Sequence, residues 1–296
     1  MLRRGDDAAA AGGFATAVRA LRMKAMAGIV DSLPLKIARA LGRAATGNVG
    51  AARYYVGDVG ERRDDFGDPG GDAVLLIQGF FQTRQVMATL EERLRADGYR
   101  VVSFHMGGLL NNFNTRSIPT LARLIDTKVR RLLDRTGAQD IHIIGHSMGG
   151  LVARYLVQNA GGSEYTRTVI TLGTPHHGTG TAALGAGLGL LFVSRALWQL
   201  FPVSPFVSEL KKGRFPGHVR LVSVYSRGDL ICPWERSVLT PGDGEDVRNV
   251  AVTRLGHMGL VEDPYLYGLI LRELKDRPLD TSGGPVAAAD EEVTRR

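Results

Sequence analysis

The chain has 296 residues, of which 44% are hydrophobic, and this is typical of one large globular domain or two small ones. Its single cysteine, Cys232, excludes internal disulfides, so nothing in the sequence requires an oxidising compartment. The formal charge of +7 indicates a basic surface, and because no DNA- or RNA-binding motif accompanies it, we predict no nucleic-acid partner.

Much of the positive charge lies in an N-terminal extension, residues 1–70. Between Phe14 and Ala45 six basic residues accompany a single acid, Asp31, and apolar residues recur at spacings of three and four. This pattern predicts an amphipathic helix for one of two roles: peripheral contact with an anionic membrane, or packing on the rest of the protein or on a second copy. No signal peptide or membrane-spanning segment is evident, so the sequence favours a cytoplasmic or peripheral membrane location.

After a linker rich in glycine and aspartate, predicted strands and helices alternate. The strands are predicted at 73–78, 99–104, 141–145, 167–173, 219–225 and 247–252, and the helices at 84–97, 118–136, 148–160 and 264–275. Such alternation predicts an α/β fold with a mostly parallel central sheet, helices on both faces and functional groups at the carboxyl edge. This domain spans 71–276, and the polar tail 277–296 is predicted to be disordered.

The hexapeptide Gly-His-Ser-Met-Gly-Gly at 145–150 separates the third strand from its helix. It matches the G-x-S-x-G pattern of a nucleophile elbow, a tight turn that exposes a serine at the sheet edge. Ser147 should therefore have strained backbone angles, and Gly145 and Gly149 are needed because a β-carbon there would collide with the strand and helix. Glycine-rich turns also occur in nucleotide-binding folds, so the alternative is a structural turn with an incidental serine.

Two later strands end near residues that would complete a serine triad. Asp229 follows the fifth predicted strand, and His257 follows the sixth. A histidine can take the serine proton during attack, while a carboxylate fixes the histidine tautomer. Taken singly, each is more often a turn, surface or core residue, but the order Ser, Asp, His after an elbow favours catalysis. Glu262 and Asp263 are rival acids, although their place at the start of the last helix is better explained by N-capping.

The loop that follows the first strand, 78–81, should supply a backbone donor. We predict that the amides of Phe80 and Met148 stabilise the anionic oxygen that forms during acyl transfer, and that Phe81 lines the substrate pocket.

Together with Gly-Thr-Pro-His-His-Gly at 173–178, these motifs resemble the bacterial lipase and esterase branch of the α/β-hydrolases, the triacylglycerol lipase-like family. The resemblance extends from about Ala73 to Leu274, and it implies an α/β-hydrolase fold and a serine hydrolase that needs no cofactor. One departure is Gln78, which stands where the family usually has histidine. Because the donor is a backbone amide, this change should alter the surroundings of the oxyanion site rather than abolish it.

The same sequence favours no metal site. No aspartate just after His257 matches the calcium site of secreted lipases, so calcium dependence is not predicted. His176 and His177 have no cysteine or carboxylate partner at metal-ligand spacing and are interpreted as packing and turn residues.

An apolar insertion, 179–212, lies between the fourth and fifth strands and carries little charge. So much apolar surface is not expected to remain in water on a monomer. The alternatives are a mobile lid that opens at a lipid interface and a fixed cap that lines an acyl pocket, and we favour the lid. Its candidate pocket residues are Leu191, Phe192 and Trp198.

These features predict a carboxylic-ester hydrolase whose substrate is a lipid or another apolar acyl ester. Ser147 would attack the carbonyl, His257 would act as general base and acid, and Asp229 would orient His257. A thioesterase, polyester depolymerase, amidase or acyltransferase would use the same groups. A noncatalytic binding or scaffold protein of this fold would show a broken triad or a blocked elbow, and the sequence shows neither.

Overall fold

The structure is a computed structural model that describes residues 71–80, 82–106, 116–180 and 194–275 and the backbone of 291–293. The N-terminal extension, with its predicted basic helix, lies outside the described residues. Among the helices in the described ranges, none combines the length and apolar character needed to cross a membrane.

Within the described residues the strands form one parallel sheet in the order β2-β1-β3-β4-β5-β6-β7. The strands are β1 (Ala73–Ile77), β2 (Arg100–Ser103), β3 (Ile141–His146), β4 (Thr166–Leu172), β5 (Arg220–Ser226), β6 (Val247–Val252) and β7 (Glu291–Val293). The helices are α1 (Ala88–Ala96), α2 (Ile118–Thr136), α3 (Met148–Asn159), α4 (Arg195–Gln199), α5 (Pro205–Lys212), α6 (Gly259–Glu262) and α7 (Pro264–Lys275).

Each face of the sheet is covered by its own hydrophobic core. Alternate residues of β1 belong to opposite cores: Leu75 and Ile77 pack with α2 and α3, whereas Val74 and Leu76 pack with α1 and α7. Both faces are thus buried, which explains why this strand is apolar along its whole length. The predicted α/β-hydrolase fold, with its mostly parallel sheet and helices on both faces, is confirmed.

Most helices and strands begin and end within one residue of the positions predicted from local sequence patterns. The long helix α2 ends where Gly137 adopts φ 69°, a left-handed conformation that suits glycine at a helix end. The helix predicted at 84–97 instead begins as a 3-10 turn, Arg84–Met87, before α1. In the tail, which the sequence predicts to be disordered, Glu291–Val293 pairs with β6 because the edge of that strand offers open backbone hydrogen-bonding groups.

The chain order produces a switch point at β1. From β1 the chain passes to β2 on one side and then to β3 on the other. In open α/β sheets the crevice above such a point is where ligands bind. The loop after β1 and the elbow after β3 therefore meet at the carboxyl edge.

The described half of the apolar insertion, 194–212, is built into the domain. Leu197 of α4 and Val207 of α5 are fully buried in the core that α2 and α3 share. Polar contacts add to this packing: the Gln199 side chain accepts the amide of Ile118 at 2.7 Å, and Gln158 Nε2 donates to the α5 carbonyl of Leu210 at 3.0 Å. This packing is what the fixed-cap alternative predicts for 194–212, and the choice between a mobile lid and a fixed cap stays a prediction.

Acid stability should depend on His142, a β3 residue whose side chain is 1% exposed. Burial lowers its pKa to about 4. Between pH 6.5 and 4, His142 is therefore protonated in the unfolded chain but neutral in the folded protein. Stability is therefore lost as the pH falls from 6.5 towards 4. We expect His142→Leu to reduce the loss of unfolding free energy between pH 7 and 4.5 by about 2 kcal/mol, measured by urea denaturation. Parallel pH profiles for the two proteins would contradict this.

Candidate active site

Ser147 lies at the sharp turn between β3 and α3, with φ 55° and ψ −126°. This conformation is strained for a residue with a β-carbon. Two hydrogen bonds hold the turn: the Ser147 amide donates to the carbonyl of Leu172 at 2.8 Å, and Thr174 Oγ1 donates to the Ser147 carbonyl at 2.9 Å. The serine is thus fixed from the neighbouring strand β4 and the loop that follows it.

The glycines of the elbow allow α3 to approach the sheet. A β-carbon on Gly145 would lie 2.6 Å from the α-carbon of Gly150, and one on Gly149 would lie 2.1 Å from the carbonyl oxygen of Ile77. Neither distance is possible between non-bonded atoms, so both positions require glycine. The N-terminus of α3 consequently lies directly beneath the carboxyl ends of β1 and β3.

His257 and Asp229 form a buried hydrogen-bonded pair. Nδ1 of His257 lies 2.6 Å from Oδ2 of Asp229. The other carboxylate oxygen, Oδ1, accepts the amides of Ile231 and Cys232, both at 2.8 Å. With the Nδ1 proton directed at Asp229, the lone pair of the neutral His257 ring is on Nε2, where a general base needs it.

This pair lies close to the elbow. A β-carbon on Gly173 would lie 3.0 Å from Asp229 Oδ2 and 3.2 Å from His257 Nδ1. Gly173 follows directly after Leu172, which accepts the Ser147 amide. The structure therefore brings the sequence-predicted serine, histidine and aspartate to one place above β3, β4 and β5.

The loop after β1 also reaches the serine. A β-carbon on Gly79 would lie 2.9 Å from the β-carbon of Ser147. Phe80, the next residue, is half-buried against the core, and Met148 is the first residue of α3. Both predicted donors thus belong to segments that border Ser147, while Phe81 lies outside the described residues.

Asp263 and Glu262, the alternative acids for the triad, make other contacts. Oδ1 of Asp263 accepts the amide of Leu266 at 3.0 Å, which is the N-terminal cap of α7. Glu262 is the last residue of α6, and its carbonyl accepts Arg93 Nη1 at 2.8 Å. The nearby thiol of Cys232 is buried, and burial raises its pKa to about 12, so it stays protonated at neutral pH.

The histidines after β4 serve as packing and turn residues. His176 is fully buried against Thr171 Oγ1, and burial and the Arg154 charge hold its pKa well below the usual value. His177 Nε2 donates to the carbonyl of Val238 at 2.7 Å. Over the described ranges, no group of three or more histidine, cysteine, aspartate or glutamate side chains is arranged to hold a metal ion.

Sequence reasoning missed two polar features. Gln82 and His146 form a buried network between Gly79 and His257. Arg154 of α3 forms a fully buried ion pair with Asp243, at 2.8 Å. His146 stands inside the elbow motif and so could have been suspected, but Gln82 and Asp243 are loop residues with no periodic pattern.

The predicted pocket residues of the insertion are only partly described. Trp198 is 49% exposed and contacts the ring of Phe201. Leu191 and Phe192 lie outside the described residues.

The buried ion pair predicts a large non-additive effect on stability. Arg154→Met leaves Asp243 buried without its cation and should lower the free energy of unfolding by about 3–5 kcal/mol. Adding Asp243→Asn removes the isolated charge but keeps an oxygen for the amide of Thr240, so the double variant should recover part of that loss. Urea denaturation of the single and double variants measures the coupling, and strictly additive losses would contradict it.

Comparison with known proteins agrees with this architecture. Residues 72–206 match a family described as having the alpha/beta hydrolase fold. Over 51 residues, 17% of its length, the chain is 43% identical to triacylglycerol lipases of Pseudarthrobacter phenanthrenivorans and Burkholderia plantarii. The match spans only 15% and 14% of those two proteins.

Solved structures show the same fold at low sequence identity. A mature lipase of Bacillus licheniformis superposes with a TM-score of 0.54 and 14% identity, covering 69% of this chain and 92% of that one. Lipase B of Aspergillus fumigatus superposes with a TM-score of 0.57 and 17% identity, covering 77% and 57%.

Proposed function

We propose that this chain, which has the α/β-hydrolase fold, is a serine-dependent carboxylic-ester hydrolase of the lipase and esterase type. The observation that carries the proposal is the 2.6 Å contact between His257 and Asp229 beside Ser147 in its elbow. The similarity to triacylglycerol lipases supports an ester substrate with an apolar acyl group.

The proposed reaction begins when Ser147 Oγ attacks the ester carbonyl and His257 Nε2 takes the hydroxyl proton. Asp229 stabilises the imidazolium that forms, and two amides hold its other oxygen in place. When the tetrahedral intermediate collapses, His257 returns the proton to the leaving alcohol and the acyl group stays on Ser147. Water, deprotonated by His257, then attacks the acyl carbonyl, and His257 returns that proton to Ser147 Oγ as the bond between the acyl group and Ser147 breaks and the acid leaves.

The amides of Phe80 and Met148 are the proposed donors to the anionic oxygen. Both are backbone groups, so they need no side-chain reorganisation when charge develops. The start of α3 adds the positive end of the helix dipole beside Ser147. Each donor of this kind typically contributes about 10²–10³ to the rate.

An apolar rim beside the site supports a water-insoluble substrate. Leu230 and Ile231 directly follow Asp229, and they are 89% and 50% exposed. The amide of Ile231 donates to Asp229, so the backbone of this tip is tied to the acid of the triad. Arg227 and Arg254 are exposed close to this tip, since Arg227 precedes Gly228 and the backbone of Arg254 approaches it, which suits a lipid surface that carries some negative charge.

The triad is tested by covalent labelling and by paired acid variants. A fluorophosphonate probe should label the wild-type protein and leave Ser147→Ala unlabelled. Asp229→Asn should lower ester turnover by about 10⁴ because the histidine takes the wrong tautomer. Asp263→Asn is the matched control: it alters only a helix cap, so turnover should stay near normal. Absence of labelling would favour a noncatalytic protein, and a selective loss in Asp263→Asn would show that the acid is wrongly assigned.

The apolar rim is tested on substrates of different physical state. When fully buried in lipid, the two side chains contribute about 3–5 kcal/mol of transfer free energy. We therefore expect Leu230→Ser with Ile231→Ser to lower activity on emulsified long-chain esters at least tenfold, at about 1.4 kcal/mol per factor of ten. Activity on dissolved p-nitrophenyl butyrate should change little. Leu124→Ser, on the exposed side of α2, is the control for loss of an exposed leucine. Equal losses on both substrates would contradict a role at the interface.

A further inference from the structure

Two buried side chains, Gln82 and His146, connect the loop after β1 with the loop that carries His257. Gln82 Oε1 accepts the amide of Gly79 at 2.7 Å and lies 3.1 Å from His146 Nδ1. His146 Nε2 lies 3.1 Å from the backbone carbonyl oxygen of His257. The His146 ring also packs on the His257 ring, with 4.6 Å between the centroids.

The Gly79 amide determines the orientation of the Gln82 side chain. A backbone N–H can only donate, so the atom that faces it is the amide oxygen of Gln82. Gln82 Nε2 then points to Met258 Sδ, at 3.7 Å, in the same loop as His257. With the Gly79 amide held in this direction, the position of the Phe80 amide, one peptide later, is restricted as well.

His146 remains uncharged in this setting. It is fully buried, and burial and the neighbouring His257 hold its pKa well below the ordinary value. A neutral ring has a single N–H, so it donates to only one of the two facing oxygens, Gln82 Oε1 or the His257 carbonyl oxygen, and its other nitrogen makes no hydrogen bond. The positive charge of the reaction therefore forms on His257 alone, with no second cation stacked against it.

We propose that Gln82 and His146 are positioning residues that hold the oxyanion turn and the histidine of the triad in one fixed arrangement. The inference rests on the ester hydrolysis proposed above. The donor segment and the base lie on loops from different strands, and the buried side chains of this pair lie between those loops. Both side chains act through Gly79 and His257, and neither is proposed to touch the substrate.

The expected size of the effect follows from geometry. A displacement of reacting groups by about 1 Å can cost on the order of 10² in rate. Without the Gln82 oxygen, the Phe80 amide is still present but its direction is no longer fixed. The loss should fall on the transition state, since the charged oxygen forms only there, while binding of the neutral ester is little affected.

Gln82→Leu tests the proposal on dissolved p-nitrophenyl butyrate. We expect kcat to fall roughly 10- to 100-fold with little change in KM, and the affinity for an alkyl boronic acid, a transition-state analogue, to fall by a similar factor. The control is Gln158→Leu, which removes an amide that binds the carbonyl of Leu210 and accepts from Arg154 Nε, both away from the site. A purely structural role of Gln82 would lower the melting temperature and leave kcat and boronate affinity near the wild-type values.

The two buried histidines of β3 provide a matched pair. His146→Leu and His142→Leu change the same residue type on the same strand, and both sites are buried. We expect only His146→Leu to lower kcat and boronate affinity, again roughly 10- to 100-fold. If His146→Leu does not fold, the kcat and boronate affinity of Gln82→Leu alone test the positioning role.

The outcomes separate this inference from the proposed function. An active wild-type protein with Gln82→Leu within twofold of its kcat would overturn the positioning role and leave ester hydrolysis standing. A wild-type protein that neither hydrolyses esters nor reacts with a fluorophosphonate would overturn both.

Discussion

The close approach of α3 to the sheet is the constraint on which the site depends. At Gly149 the helix comes so near to β1 that a β-carbon would lie 2.1 Å from the Ile77 carbonyl oxygen. The chain can turn from β3 into α3 over so short a distance only because Ser147 accepts a left-handed conformation. Strain of this kind costs on the order of 1–3 kcal/mol and persists only where the surroundings enforce it. Here two hydrogen bonds hold the strained residue: Leu172 of β4 accepts the Ser147 amide, and Thr174 Oγ1 donates to the Ser147 carbonyl.

A second group of contacts holds the loops of the site in place. Asp229 accepts hydrogen bonds from two amides of its own loop as well as from His257 Nδ1, so the acid is held independently of the histidine. Arg154 joins α3 to the loop of Asp243 inside the core. Functional groups placed on loops need such support, because errors of a fraction of an ångström reduce catalysis. The same kind of support is what we propose for Gln82 and His146, through their contacts with Gly79 and His257.

The described part of the apolar insertion, 194–212, combines buried and exposed apolar side chains. The helices α4 and α5 bury their apolar sides against the main core, and two amide side chains, Gln199 and Gln158, anchor them. Trp198 on α4 remains half exposed. The described part of the insertion therefore both contributes to the core and presents apolar surface on its outer side.

The sequence by itself determined the elements, the elbow and the order of the candidate residues. Apolar runs in the sequence predict the strands, and a 3.6-residue period predicts the helices. The elbow motif likewise predicts glycine at 145 and 149 around Ser147. These features depend on neighbours along the chain, so a single sequence is enough to find them.

Only the tertiary structure decided which distant polar groups meet. It brought Asp229 to His257 and placed Asp263 on a helix cap. From sequence alone either acid could have been the partner of His257, since Asp229 precedes the histidine and Asp263 follows it. It also paired Arg154 with Asp243 and Gln82 with His146, which lie 89 and 64 residues apart. A buried polar group must find a partner wherever the fold supplies one, and that requirement leaves no periodic trace in the sequence.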